Sequence, residues 1–348
     1  MNKTKLFLMA GLTYVLCSSS AWVNLTLVRP SELSVPDYIK SIALIDRSQQ
    51  VESTKNKVEQ VLTGEVFRQD EQAVIKLGEG FIEACSGTQR FVTVRTTEKL
   101  ISDGTKSTFP TPLDWNTVTD LCSKNQTDAL LSIEIFDTDF ILTNSPIKVN
   151  MGNNAGGLLN RIEFRATGVA VINLGIRLYD AANRVILDEY QTTYRINFDA
   201  QGLTLQAALN SLLDKVQATN RASYEAGFQY GQRITPTYYQ ATRYFFDAPR
   251  RSLGTGVRYS EVGDWRSAID AWTKVVNNEK RRRAGRAAFD IAVAYEVLGD
   301  MEMAKQWAAR SHTEFREKEA DDYYKLLCNR IIEERVVNQQ MPEETSDK

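Results

Sequence analysis

The stretch that decides the fold is Gly168–Thr193, GVAVINLGIRLYDAANRVILDEYQTT. Apolar and β-branched residues fill both of its arms. Between them, Ala181-Ala182-Asn183-Arg184 has the length and the left-handed-tolerant Asn of a hairpin turn. Two long strands are therefore expected, Phe164–Asp180 and Val185–Tyr194. Working upstream, Ala129–Phe140 (ALLSIEIFDTDF) reads as a strand, preceded by a helix that Asp114 would cap and that runs to about Asn125. Phe91–Arg95 (FVTVR) is strand-like. A helical pattern occupies about Ser53 to Glu83, with Val58, Val61, Leu62, Val66, Ala73, Val74, Leu77 and Phe81 at three-and-four spacing. Tyr38–Asp46 (YIKSIALID), behind Pro36, reads as a buried strand. Strand, helix, strand, helix, strand, hairpin predicts an α/β sandwich over residues 38–200, with helices packed on a mixed sheet.

Downstream, Leu205, Ala208, Leu209, Leu212, Leu213 and Val216 follow the helical period. The chain then turns aromatic, with Tyr224, Phe228, Tyr230, Tyr238, Tyr239, Tyr244, Phe245 and Phe246. Residues 203–250 are expected to form a helical aromatic bridge, interrupted at Pro236. Its rings suit an inter-domain core. The alternative is a glycan-stacking platform built on Tyr238 and Tyr239, for which Asp137, Asp139 or Asp188 would supply acids in a carboxylate-based hydrolase.

Residues 251–337 carry two copies of one pattern. Gly256, Tyr259, Gly263, Ala268 and Trp272 in the first correspond to Ala292, Tyr295, Gly299, Ala304 and Ala308 in the second. The spacing is that of tetratricopeptide units, each a helical hairpin, followed by a capping helix from Ala320 to Val337. The class expected for the whole chain is α+β, an α/β sandwich followed by an all-α helical hairpin region. Two repeats are fewer than the roughly three that stand alone, so this region should lean on the bridge or on a partner. Tyr259, Trp272 and Tyr295, with Arg281, Arg282 and Arg283 between the repeats, are the candidate partner-binding residues. Residues 338–348 read as a polar, disordered tail.

Of the 348 residues, 42 are Lys or Arg and 44 Asp or Glu, which argues against general nucleic-acid binding. A single histidine, His312, leaves little room for serine triads, Cys-His pairs or His-ligated zinc. No metal set and no cofactor motif is visible. The glycine-rich Met151–Gly157 lacks the Lys-Ser/Thr ending of a phosphate loop and precedes a strand. Lys3 and Lys5 followed by the apolar run Leu6–Leu16 make residues 1–16 an export signal. Cys17 directly after it fits lipidation, while Ser19-Ser20-Ala21 would suit ordinary cleavage, and 17–37 reads as a linker. Cys85 and Cys122 are either a disulfide or two buried small apolar residues.

The order of elements, with KSIALID, DALLSIEI and the closing hairpin, resembles the periplasmic α/β domain shared by the TolB N-terminal domain and the curli-secretion lipoprotein. More specifically, YIKSIALIDRS, YGQRITPTYYQATRYFF and the C-terminal tetratricopeptide hairpin resemble a family of Gram-negative cell-envelope lipoproteins without an established activity. The resemblance implies an exported, outer-membrane-anchored, non-enzymatic protein. Its helical hairpin would act as an assembly or interaction module for another envelope protein.

Overall fold

The computed structural model describes residues 19–50, 67–88, 90–103, 108–152, 158–247 and 252–341. The export signal, Cys17, the first half of the Ser53–Glu83 helical pattern and most of the Met151–Gly157 loop lie outside them. The chain divides into two compact units. One comprises residues 28–238 and 336–348, the other residues 1–27 and 239–335. Among the described residues, no helix is long and apolar enough to cross a membrane.

The first unit is built on a five-stranded mixed sheet. Its strands are β2 (Ser41–Gln50), β3 (Val92–Ser102), β4 (Ala129–Gly152), β5 (Leu158–Asp180) and β6 (Val185–Gly202), in the order β3-β2-β4-β5-β6. β2 runs parallel to β3 and β4, while β4-β5 and β5-β6 are antiparallel. Alternation along the strands sorts the side chains to two faces. Ile42, Leu44, Leu131 and Ile133 pack with helix α1 (Phe67–Ser86) and helix α4 (Lys215–Ile234). Ala43, Ile45 and Leu130 pack with Val118, Leu121 and Cys122 of α2 (Trp115–Asn125). α1 and α4 approach so closely that a Cβ on Gly227 would lie 1.9 Å from the Leu77 carbonyl oxygen, so glycine is needed there. The α+β class read from the sequence is the class observed.

Two local details differ from the sequence reading, and one pair of alternatives is decided. The helix expected from Leu205 onward is two, α3 (Leu205–Ser211) and α4, because Asp214 accepts hydrogen bonds from the Val216 and Gln217 amides and starts a new helix. In the hairpin turn it is Arg184, at φ +54°, that takes the left-handed conformation. Asn183 instead gives its side-chain amide to Asp180, whose other oxygen accepts the Ala182 and Asn183 backbone N–H groups. Cys85 and Cys122 are free thiols in separate clusters, and burial raises the Cys122 thiol to about 11.

Among the described residues the second unit holds five helices: α5 (Gly254–Glu261), α6 (Trp265–Asn278), α7 (Arg281–Val297), α8 (Met301–Thr313) and α9 (Glu319–Gln340), of which the last five residues belong to the first unit. It also contains most of a two-stranded sheet of β1 (Ser19–Arg29) and β7 (Thr237–Asp247). Two expectations are corrected here. Ser19–Arg29 is a strand where a linker was expected. The bridge is not helical throughout, since beyond Pro236 it becomes β7. Across that sheet Gln240 donates to Thr26 and Thr242 to Asn24.

Candidate functional site

The two helix pairs share one turn. Gly263 and Gly299 both adopt positive φ, at +77° and +82°, and each receives an N-cap behind it. Asp264 accepts the Ser267 amide at 3.1 Å and Asp300 the Met303 amide at 3.0 Å. Each Asp backbone N–H returns to the tyrosine carbonyl five residues earlier, Tyr259 or Tyr295, at 2.9 Å. The inner surfaces are made of small residues that admit close approach, among them Ala268, Ala287, Ala288, Ala292, Ala304 and Ala308, with Phe289 and Trp272 filling the larger gaps.

The first pair leaves an opening. Between α5 and α6 lies a groove of about 460 Å³ lined by Ser252, Thr255, Tyr259, Ser267, Asp270 and Lys274 among others. Thr255 and Tyr259 are one turn apart on α5. Asp270, Lys274 and Asn278 follow each other at the same spacing on α6, so each set forms one wall. Tyr259 is 41% exposed. Neither Asp270 nor Lys274 makes an ion pair among the described residues, which leaves one carboxylate, one ammonium and several hydroxyls facing an open slot.

The structure separates the other sequence candidates. Trp272 is buried completely. It donates from Nε1 to the Leu253 carbonyl at 3.2 Å, packs edge-on against Phe245, and leaves no space for a Cβ on Gly256. It holds the pair together and presents nothing to a partner. Tyr295 is half-buried against the same core. Arg281, Arg282 and Arg283 are exposed at the start of α7, where Arg281 reaches the Phe315 carbonyl and Arg283 pairs with Glu279 at 3.0 Å. Tyr238 and Tyr239 are successive residues of β7, so their rings project to opposite sides and do not form one platform. Asp188 accepts from Tyr230 and Arg233, both at 3.2 Å, while Asp137 accepts from Asn173 at 3.5 Å. His312 is exposed on α8.

A polar cluster in the sheet escaped the sequence reading as a group. A register break between Ile133 and Ile135 inserts Glu134 as an extra residue of β4. Its carboxylate meets Arg47 of β2 at 3.0 Å and Arg177 of β5 at 3.9 Å, and accepts from Tyr179 at 3.1 Å. All four side chains are buried. Arg47 also donates to the Thr111 carbonyl and Arg177 to that of Pro110, which ties the segment before α2 down onto the sheet. Burial pushes the Glu134 carboxyl upward, opposed by Arg47, Arg177 and Tyr179. Burial and the adjacent Glu134 raise the Tyr179 hydroxyl to about 12. With its oxygens taken up by these neighbours, Glu134 anchors a loop. The signal was a charge set inside each of the apolar runs SIALIDR, ALLSIEIF and VINLGIRLY.

The fold and groove thus define an α+β protein with a helical-hairpin surface open on one side. The chain belongs to the family described as a domain of unknown function, DUF8603, whose model matches residues 39–246. Residues 255–329 match a second domain of unknown function, DUF6340. No curated protein matches the chain. Among solved structures, it is similar to a neuraminyllactose-binding hemagglutinin homolog from Helicobacter pylori at 8% identity, covering 58% of this chain and 89% of that one, with a TM-score of 0.20. A PelC dodecamer from Paraburkholderia phytofirmans is 11% identical, with 58% of this chain and 99% of that one covered and a TM-score of 0.18. At those scores neither lends this chain a function.

Proposed function

We propose that this chain is a non-enzymatic interaction module of the bacterial cell envelope, exported and lipid-anchored through Cys17, which receives a segment of another envelope protein in the groove between α5 and α6. The observation that carries the reading is the groove itself, where Tyr259, Asp270 and Lys274 face solvent between two helices whose opposite sides are fully packed. An aromatic ring flanked by unpaired charges offers a peptide both contact area and charge complementarity. Export and anchoring rest on Lys3, Lys5, Leu6–Leu16 and Cys17 alone.

A photo-crosslinking amino acid at position 270 of the full chain tests the groove, with the same amino acid at Glu302 on α8 as control. In intact cells the groove position should capture a discrete envelope protein that the control does not, and Tyr259→Ala should reduce capture severalfold. Equal capture from both positions sinks the reading. Separately, Cys17→Ala should move the chain from the membrane fraction to the soluble one.

A further inference from the structure

The two edges of the five-stranded sheet are unlike. Along β3 the pairing with β2 is broken twice, between Leu44 and Asp46 and again between Asp46 and Gln49, so that edge is irregular. β6 forms the other edge. Its register with β5 is unbroken from Asp188 to Gly202, and among the described residues no strand pairs with its outer side. Folded proteins usually blunt such an edge with proline, lysine, a bulge or a short strand. β6, VILDEYQTTYRINFDAQG, has neither residue type and spans Val185–Gly202. None of its side chains is fully buried. Even the face that packs on the core, with Tyr190, Tyr194, Ile196 and Phe198, is only half covered.

We infer that β6 pairs with β6 of a second copy of this chain, antiparallel about a two-fold axis at Thr192, joining the two five-stranded sheets into one. The charges favour this occupant and this register. On the open face the axis sets Glu189, half exposed and held through Oε2 by Arg177 at 2.6 Å, opposite Arg195 of the second copy, twice by symmetry, with Gln191 opposite Thr193. On the core face it sets Tyr190 opposite Tyr194, twice by symmetry, adding ring area where both copies are half exposed. Neighbouring axes do worse. One at Arg195 would face that guanidinium with its own copy, and one at Tyr194 would set Glu189 against Asp199. An axis at Asn197 would oppose Arg195 with Asp199 but leave Glu189 and Tyr190 outside the pairing, whereas the axis at Thr192 brings both in and pairs Asp188 through Ile196, clear of the bulge at Leu187. Arg195 is exposed and makes no ion pair within its own chain among the described residues, so it is available. The inference does not depend on the α5–α6 groove.

Sedimentation of the full chain between about 1 and 100 μM should show a concentration-dependent dimer, and Arg195→Glu should raise its dissociation constant about tenfold by turning two attractive pairs into repulsive ones. Because Arg195 is solvent-facing, the variant's unfolding midpoint should match that of the parent at a chain concentration low enough for both to be monomers. Thr192→Cys places two thiols on the axis, where cross-strand Cα atoms lie about 4.5–5.5 Å apart, and should give a disulfide-linked dimer under mild oxidation that the parent chain does not. A monomer throughout the range overturns the inference. So does a dimer that Arg195→Glu leaves equally tight, or one that Thr192→Cys fails to lock.

Discussion

The helix pair α5–α6 and the pair α7–α8 start from the same instructions and end in different surroundings. Both turn at a positive-φ glycine, both cap the second helix with Asp, and both return the Asp amide to a tyrosine carbonyl. Beyond the turn they diverge. Where the first pair has Ser260, closing a local bond to the Val257 carbonyl, the second has Glu296, buried between Arg243 at 2.8 Å and the Tyr323 hydroxyl at 2.6 Å. Where the first has Trp272, the second has Ala308. α7 is packed on nearly every side, while α5 and α6 bury one side and open the other. The turn is set by local chemistry. Whether a pair binds anything is set by what covers it.

The largest test makes the first pair like the second. Trp272→Ala removes a fully buried ring, its hydrogen bond to Leu253 and its contacts with Phe245 and Gly256. Chemical unfolding of the full chain should show a loss of about 4 kcal/mol. A loss under about 1 kcal/mol would mean the core collapses around the gap and that Trp272 does not hold the pair together.

An intermediate effect distinguishes the second pair through its titrating groups. Asp290 is fully buried. One oxygen accepts the Phe246 amide at 2.7 Å and the other has no partner, while Arg286, one turn away, lies 4.5 Å over the Phe246 ring. Burial therefore raises the Asp290 carboxyl well above the carboxylate range, and burial together with Glu319 raises Glu317 to about 7. A raised acid holds its proton in the folded state after the unfolded chain has released it. The associated stability is complete below about pH 4 and declines as pH rises through the folded values. Unfolding at pH 5 and pH 8 should differ by about 2 kcal/mol for Glu317 alone once its half exposure is discounted. Asp290→Asn, which keeps an acceptor for Phe246, should make the profile flatter. An unchanged slope in that variant would assign the pH dependence elsewhere.

How much of this could be read from residues alone depended on distance along the chain. The hairpin, the cap at Asp114 and both glycine turns are fixed within a few residues, and each stands where local chemistry puts it. β1 was missed although Val23, Leu25 and Leu27 alternate with exposed Trp22, Asn24 and Thr26, because its partner β7 lies more than two hundred residues away. The Glu134 cluster needed three strands, a bulge and the loop before α2 to assemble, none of which a local window displays. Trp272 and Tyr259 were equivalent as sequence candidates. Packing alone made one of them core and the other groove.

The smallest effect addresses what the two pairs share. A Cβ added at Gly263 or Gly299 would meet nothing within 4 Å, so no clash contributes and the cost of Gly→Ala is conformational alone. Holding alanine at φ near +80° costs about 1–2 kcal/mol, and the two sites should lose the same amount although their surroundings differ completely. Asn tolerates the left-handed region better, so Gly263→Asn and Gly299→Asn should each lose less than the alanine variant at the same site. If Gly299→Ala costs clearly more than Gly263→Ala, the turn in the closed pair is coupled to the packing around it, and the division between local turn and tertiary cover fails at that point.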